Sequence, residues 1–183
     1  MKKRTINSTL ELALLGLISQ APMSGYDLRK VFTTTPMGHF SSSPGAIYPA
    51  LKRLEESGLI EGTVKGRDTL RPRRVYVLTQ EGKEVLKQRL SQPVTQDDIV
   101  WHMDDLLLRF VFMGDLLGRE ETLSFLKEFL QQTEAYIPSL QEHLENSRKS
   151  ESPYGAFAME HGIELYKTHA RWAKHVIKQL EGD

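Results

Sequence analysis

The order in which hydrophobic periods follow one another constrains this chain most. Three short segments have apolar residues at helical spacing. Two strand-like runs follow, Leu59 to Lys65 and Val75 to Leu78, with a basic turn between them, and after one more short helix come long helical segments with few breakers. Helix, helix, helix, strand, strand is the order of a winged helix-turn-helix. The expected fold class is mainly α with a small β-wing, a winged helix-turn-helix followed by a helical dimerisation domain. The expected domains are residues 1–92 and 93–183.

Caps and breakers place the first elements. Ser8 precedes Glu11 by three residues, a capping-box spacing that starts a helix. From Leu10 to Ile18 this helix has almost no polar face, so it needs neighbours all round. Ala21-Pro22 ends it, and Ser24 with Asp27 repeats the box ahead of a second helix with Leu28, Val31 and Phe32 inward. Thr33 to Gly38 is expected as loop. Ser43-Pro44 starts a third helix with proline at its first position, where a missing amide hydrogen is no loss. Ile47, Leu51 and Leu54 face inward on it, while Gly45, Tyr48, Lys52 and Arg53 lie elsewhere; Gly58 stops it. Thr79 caps a further helix carrying Val85, Leu86 and Leu90.

After a polar connector to Asp98, a helix is expected from about Trp101 to Met113, with Leu106, Leu107, Phe110 and Val111 on one face. In the next, Leu123, Leu126, Leu130, Thr133, Ile137, Leu140 and Leu144 follow coiled-coil steps, and Pro138 should kink or divide it. The last helix, after Pro153, aligns Ala158, Gly162, Leu165, His169, Trp172, Val176 and Leu180, with Ile163, Tyr166, Ala173 and Ile177 widening the stripe. Two such helices alone cannot hide all this apolar surface, so a homodimer through them is expected.

The net charge of zero conceals a split. Residues 1–92 hold 15 Lys and Arg against 8 Asp and Glu, a surplus of +7, and the remainder holds 9 against 16, which is −7. A basic module joined to an acidic one orients the molecule toward a polyanion. The third helix is the element that would enter a major groove. Its small start, Ser42, Ser43 and Gly45, lets backbone amides approach a phosphate, and Tyr48, Lys52 and Arg53 project toward backbone or base edges. In the wing, Lys65, Arg67, Arg71, Arg73 and Arg74 place five cations on ten residues, opposed only by Asp68.

At these residues the sequence resembles the PadR transcriptional regulators. Leu14-Leu15-Gly16-Leu17-Ile18 and Ser24-Gly25-Tyr26-Asp27-Leu28 are similar to the family's first two helices. Ser43 to Leu51, with Arg53-Leu54-Glu55 and Gly58-Leu59-Ile60, resembles its recognition helix, and Arg74 to Thr79 with Glu81-Gly82 the strand and helix after its wing. The second half resembles, by architecture, the long helical C-terminal domain of one branch. The resemblance implies a dimeric DNA-binding regulator, most often a repressor, bound to a palindromic operator and in some members released by a small aromatic effector. The wing, with Asp68 to Pro72 among its arginines, is longer than the family's usual basic turn.

Other chemistry is disfavoured. The absence of cysteine removes thiol catalysis, disulfides and thiolate metal sites. His161 and Glu164 stand one turn apart, but His169 and His175 lie too far along the same helix to converge on a metal. Asp104-Asp105 has no nucleophile or partner histidine at readable spacing and is expected as a first-turn charge pair. No catalysis, cofactor or metal is expected. Trp101, His102, Phe110, Tyr166 and Trp172 are the candidates for an aromatic effector pocket, with core packing as the alternative. Neither a signal peptide nor a membrane span is expected, which points to the cytoplasm. The rival class is a winged-helix protein-interaction or RNA-associated module without sequence-specific DNA binding.

Overall fold

The computed structural model describes residues 5–40, 44–65, 73–148 and 153–182. The chain divides into two compact units. One comprises Met1–Gln92 with Leu107–Phe112, the other Pro93–Leu106 with Met113–Asp183.

The first unit is organised around α1 (Thr9–Gln20), in which Leu12, Ala13, Leu14 and Leu15 are wholly inaccessible. As its lack of a polar face demands, it packs on several sides. A Cβ on Gly16 would lie 2.2 Å from the Phe112 ring, so a glycine is needed where that buried ring crosses the helix. The box at its start is only half formed: Ser8 Oγ accepts from the Glu11 amide at 3.2 Å, but the Glu11 carboxylate reaches past Ser8. It accepts instead from the Asn7 amide at 3.0 Å and from Arg53 Nε at 3.2 Å.

The second helix, α2 (Gly25–Thr34), opens with a complete box in which Asp27 accepts from both the amide and the hydroxyl of Ser24. Where Thr33 to Gly38 was expected as loop, α2 continues to Thr34 and a 3-10 turn spans Pro36–Phe40. The recognition-type helix α3 (Ile47–Glu56) starts later than Pro44, after a 3-10 turn over Pro44–Ala46. Pro49 explains the delay. A helix opened at Pro44 would bury Pro49 in its interior, whereas a start at Ile47 puts that proline in the first turn, where no amide donor is required. Gly58 ends α3 at φ 74°, with its amide on Glu55 O and the Leu59 amide on Leu54 O, a Schellman closure.

The wing strands β2 (Ile60–Lys65) and β3 (Arg73–Leu78) pair antiparallel from Ile60 opposite Leu78 to Lys65 opposite Arg73. A two-residue strand, β1 (Met23–Ser24), adds to the other edge of β3, with Met23 opposite Tyr76 and Ser24 opposite Val75. Two residues carry no period, so β1 has no signature in the sequence. Thr79 then caps α4 (Gln80–Leu90) by accepting from the Gly82 amide at 3.0 Å.

In the second unit α5 (Gln96–Trp101) opens with a Thr95–Asp98 box, and His102 separates it from α6 (Met103–Leu117). The single helix expected from Trp101 to Met113 is therefore two, and α6 runs past Met113. Its inward face also differs: Leu106, Leu108, Phe112 and Met113 are buried, whereas Val111 is half exposed. Arg109, in the stretch of α6 assigned to the first unit, sets this rotation. It is fully buried and donates to the carbonyls of Leu90 and Gln92 at the end of α4. With Arg109 inward, Val111 lies about 200° around the helix and faces out. Asp104 and Asp105 occupy the first turn of α6.

The two longest helices, α7 (Arg119–Ser147) and α8 (Tyr154–Gly182), pack on each other. α7 continues through Pro138 undivided; the proline is on the exposed side, where water can satisfy the carbonyl it leaves. The buried line of α8 is Ala156, Ile163, Ala170, Ala173 and Ile177, offset from the stripe expected through Ala158 and Leu165. Three alanines let the helix axes approach, and the larger residues beside them turn outward. Tyr154, Phe157 and Leu165 are consequently exposed. Among the described residues no helix is long and apolar enough to cross a membrane.

Candidate nucleic-acid interface

α3 has two chemically distinct faces. Ile47, Ala50, Leu51 and Leu54 are buried to within 2% of completely. Tyr48, Lys52 and Arg53 stand on the exposed face, and Gly45 is exposed in the turn before it. The Tyr48 ring lies over the start of α2: a Cβ on Gly25 would come 2.7 Å from Tyr48 Cε1. Any side chain at Gly25 would push that ring off its seat.

The cations of this face are held in place. Arg53 donates from Nε to Glu11, whose side chain is 6% exposed against 57% for Arg53, so a buried carboxylate orients a guanidinium that reaches solvent. Lys52 faces Glu56 one turn on at 3.7 Å, an exposed pair worth little in itself. On β3, Arg74 donates to Glu55 Oε1, and the same oxygen accepts from the Gly62 amide at 3.0 Å. One α3 carboxylate thus ties the helix to both wing strands. Space is tight there, since a Cβ on Gly62 would lie 2.4 Å from Arg74 Nε and 2.7 Å from Glu55 Oε1. The hydrogen bond to Glu55 raises the Arg74 pKa, and burial raises that of the neighbouring Tyr76. Arg73, also exposed, has Cζ 5.6 Å from the ring centroid of Tyr26, and Lys65 is exposed opposite Arg73.

Gly45, Tyr48, Lys52, Arg53, Lys65, Arg73 and Arg74 are therefore exposed residues of one compact unit. Ser42, Ser43, Arg67 and Arg71 lie outside the described residues. Three contributors have no signature in the sequence. Glu11 and Glu55 act over 42 and 19 residues, beyond any local spacing. Tyr26 is an exposed aromatic in the first turn of α2, and only the pairing of β1 with β3 explains its proximity to Arg73.

The aromatic candidates are more scattered. Trp101 is 76% exposed, and His102 is an exposed residue between α5 and α6. Phe110 belongs to the first unit and the other four to the second. Tyr166 and Trp172 are part of a packed cluster. Tyr166 lies edge-on to Tyr136 at 5.1 Å and donates to Ile99 O at 3.4 Å, and Trp172 lies edge-on to Phe129 at 5.8 Å. His169 sits between Phe129 and Tyr166; burial lowers its pKa, and Asp104 offsets part of that shift. A cleft of about 650 Å³ between α7 and α8 is lined by Glu142, Leu144, Glu145, Arg148, Glu160 and Ile163 among others, but by none of the five candidates. Among the described residues no group of three or more His, Asp or Glu side chains could hold a metal ion.

A three-helix core carrying an exposed cationic helix face and an antiparallel wing defines a winged helix-turn-helix protein. Residues 14–88 match the transcriptional regulator PadR-like family, and residues 104–181 match the virulence activator alpha C-terminal family. Residues 14–88 thus carry a PadR-like domain, and members of that family are transcription regulators rather than enzymes. The negative transcriptional regulator PadR of Bacillus subtilis (strain 168) is 27% identical over 184 residues, 95% of this chain and 98% of that protein. The transcriptional regulator YqjI of Escherichia coli (strain K12) is 32% identical over 83 residues, 45% of this chain and 38% of that protein. Among solved structures, Bacillus subtilis PadR in complex with operator DNA is 27% identical over 93% of this chain and 98% of that one, with a TM-score of 0.43. The same regulator in complex with p-coumaric acid is 25% identical over 96% and 97%, with a TM-score of 0.41.

Proposed function

We propose that this protein is a sequence-specific DNA-binding repressor that grips a palindromic operator as a homodimer in the cytoplasm. The observation that carries the reading is the division of α3, whose one face is sealed into the core while Tyr48, Lys52 and Arg53 are presented to solvent beside the wing cations. In this reading α3 enters the major groove, with Tyr48 toward base edges and Lys52 and Arg53 toward phosphates. Lys65, Arg73 and Arg74, together with Arg67 and Arg71, grip the backbone or the adjacent minor groove, and Ser42, Ser43 and Gly45 let a phosphate approach the start of α3. Carboxylates behind Arg53 and Arg74 fix their direction before DNA arrives, which reduces the ordering cost of binding.

The second unit dimerises and sets the spacing of half-sites. The exposed Tyr154, Phe157 and Leu165 on α8 support this role, since such a row is unfavourable in water and fits a second copy of the same helix. The relative from Bacillus subtilis, named a negative regulator, supports repression, and its complexes with operator DNA and with p-coumaric acid support a small aromatic effector that releases the operator.

The test is fluorescence anisotropy of labelled duplex from the protein's own upstream region, titrated at two salt concentrations beside a scrambled duplex. Tight binding with a clear margin over the scramble is expected, with a salt slope that counts phosphate contacts. Equal weak binding to every duplex, including those recovered by a genome-wide pull-down, would overturn the reading in favour of an interaction module.

A further inference from the structure

We infer that Tyr26 is a positioning residue for DNA binding: its ring holds the Arg73 guanidinium, at the tip-side end of the wing strands, in the attitude that meets a phosphate. The inference rests on the DNA-binding reading above and adds to it a residue from α2. Tyr26 stands in the first turn of α2 and is 60% exposed, so it adds little to the buried core. It offers a π-face 5.6 Å from Arg73 Cζ. A planar guanidinium is attracted by such a face while its N–H edges stay available to acceptors, so the ring directs the cation without consuming its donors.

Four features surround this pair. The pairing of Met23 with Tyr76 and Ser24 with Val75 ties the chain on either side, fixing Tyr26 and Arg73 relative to each other through backbone hydrogen bonds. Lys65 stands opposite Arg73 across the hairpin, and like charges so placed are unfavourable in the protein alone but suit an external anion. Asp27, the nearest carboxylate in sequence, accepts from the amide and hydroxyl of Ser24, whose hydroxyl holds its pKa below the usual value, and the nearby Arg73 charge lowers it further. It stays charged and structural. Gly25, between β1 and Tyr26, seats the Tyr48 ring of α3, which puts Tyr26 next in sequence to the contact between α2 and α3.

The full-length protein is titrated against its upstream duplex and the scrambled duplex, because a phosphate contact registers on any sequence. Tyr26→Leu should weaken binding to both duplexes about two- to fivefold. It should also flatten the salt slope by up to about 0.9, the value of one phosphate contact. Tyr26→Phe, which keeps the ring, should match the wild type. Arg73→Ala should lose at least as much as Tyr26→Leu, and Tyr26→Leu should cost nothing further on that background. Partial unfolding does not mimic this pattern, since it lowers the active fraction and leaves the salt slope unchanged. Wild-type affinity for Tyr26→Leu, additive losses in the double variant, or equal losses for Tyr26→Phe and Tyr26→Leu would each overturn the inference. A wild-type protein that binds neither duplex would overturn the DNA-binding reading itself, and the unmutated titration shows that outcome separately.

Discussion

Two glycine-to-alanine substitutions in helices should have opposite signs. Gly82, in the first turn of α4, abuts the turn that links α3 to β2, and a Cβ there would lie 1.9 Å from Leu59 O and 2.9 Å from Leu59 C. Those are backbone atoms and cannot swing aside. Reaching an ordinary contact of 3.4 Å requires a displacement of about 1.5 Å. That movement breaks the bond from the Gly82 amide to Thr79 Oγ1, now 3.0 Å, and strains those from Thr79 to Gly58 O and Leu59 O at 2.7 and 3.2 Å. Overpacking costs about 1–3 kcal/mol and each lost hydrogen bond about 1 kcal/mol. Alanine recovers up to about 1 kcal/mol of helix propensity. Gly82→Ala should therefore destabilise by roughly 2–4 kcal/mol, a large share of a domain's usual stability. Gly114→Ala is the control: nothing lies within 4 Å of its Cβ in the interior of α6, so it should be neutral or stabilising by up to about 1 kcal/mol. Urea unfolding followed by far-UV circular dichroism measures both. Equal stabilities, or a Gly82→Ala protein more stable than Gly114→Ala, would refute the packing argument.

Other expectations follow from particular contacts. Gly16→Ala should destabilise by about 1–3 kcal/mol, and Phe112→Leu in the same chain should relieve part of that loss, which a double-mutant cycle in urea would reveal as coupling. Arg109→Ala should cost about 3–5 kcal/mol, because the carbonyls of Leu90 and Gln92 lose a buried donor, and Arg109→Met should cost less by filling the space; thermal melts rank the two. His169 binds its proton less readily folded than unfolded, so stability should fall as pH drops through the ordinary histidine value of 6.5, and His169→Gln should remove that component from melts recorded across the range. Arg74→Ala should weaken both duplexes alike and flatten the salt slope, whereas Tyr48→Ala should narrow the margin over the scramble by about tenfold in anisotropy titrations.

Local chemistry was legible where one segment decides its own conformation. The Ser24–Asp27 box, the Gly58 stop and the Thr79 cap lie where the spacing puts them. The Thr95–Asp98 box has the same spacing as Ser24–Asp27, yet the polar residues around it resemble a connector, so α5 is not apparent from hydropathy. Competition between two prolines moves the start of α3, and competition between a buried arginine and an apolar stripe rotates α6. On α8 the broad stripe leaves the buried line undecided, and the alanines that define it look unremarkable in a sequence. At the candidate interface the residue types were legible on the exposed face of α3, but the partners that aim them were not. Glu11, Glu55 and Tyr26 meet their arginines only after helices and hairpin have come together.

The hydroxyl of Thr79 and the carboxylate of Glu55 clamp the wing at two levels, one where β2 begins and β3 ends, the other within the ladder at Gly62 and Arg74. Register is therefore set below the tip. With register fixed by these two contacts, a change in the number of residues between Lys65 and Arg73 need not shift α3, since closure cost grows only with the logarithm of length, about 0.6 kcal/mol per doubling. The number and charge of the residues between Lys65 and Arg73 can therefore change while α3 keeps its seat against the strands.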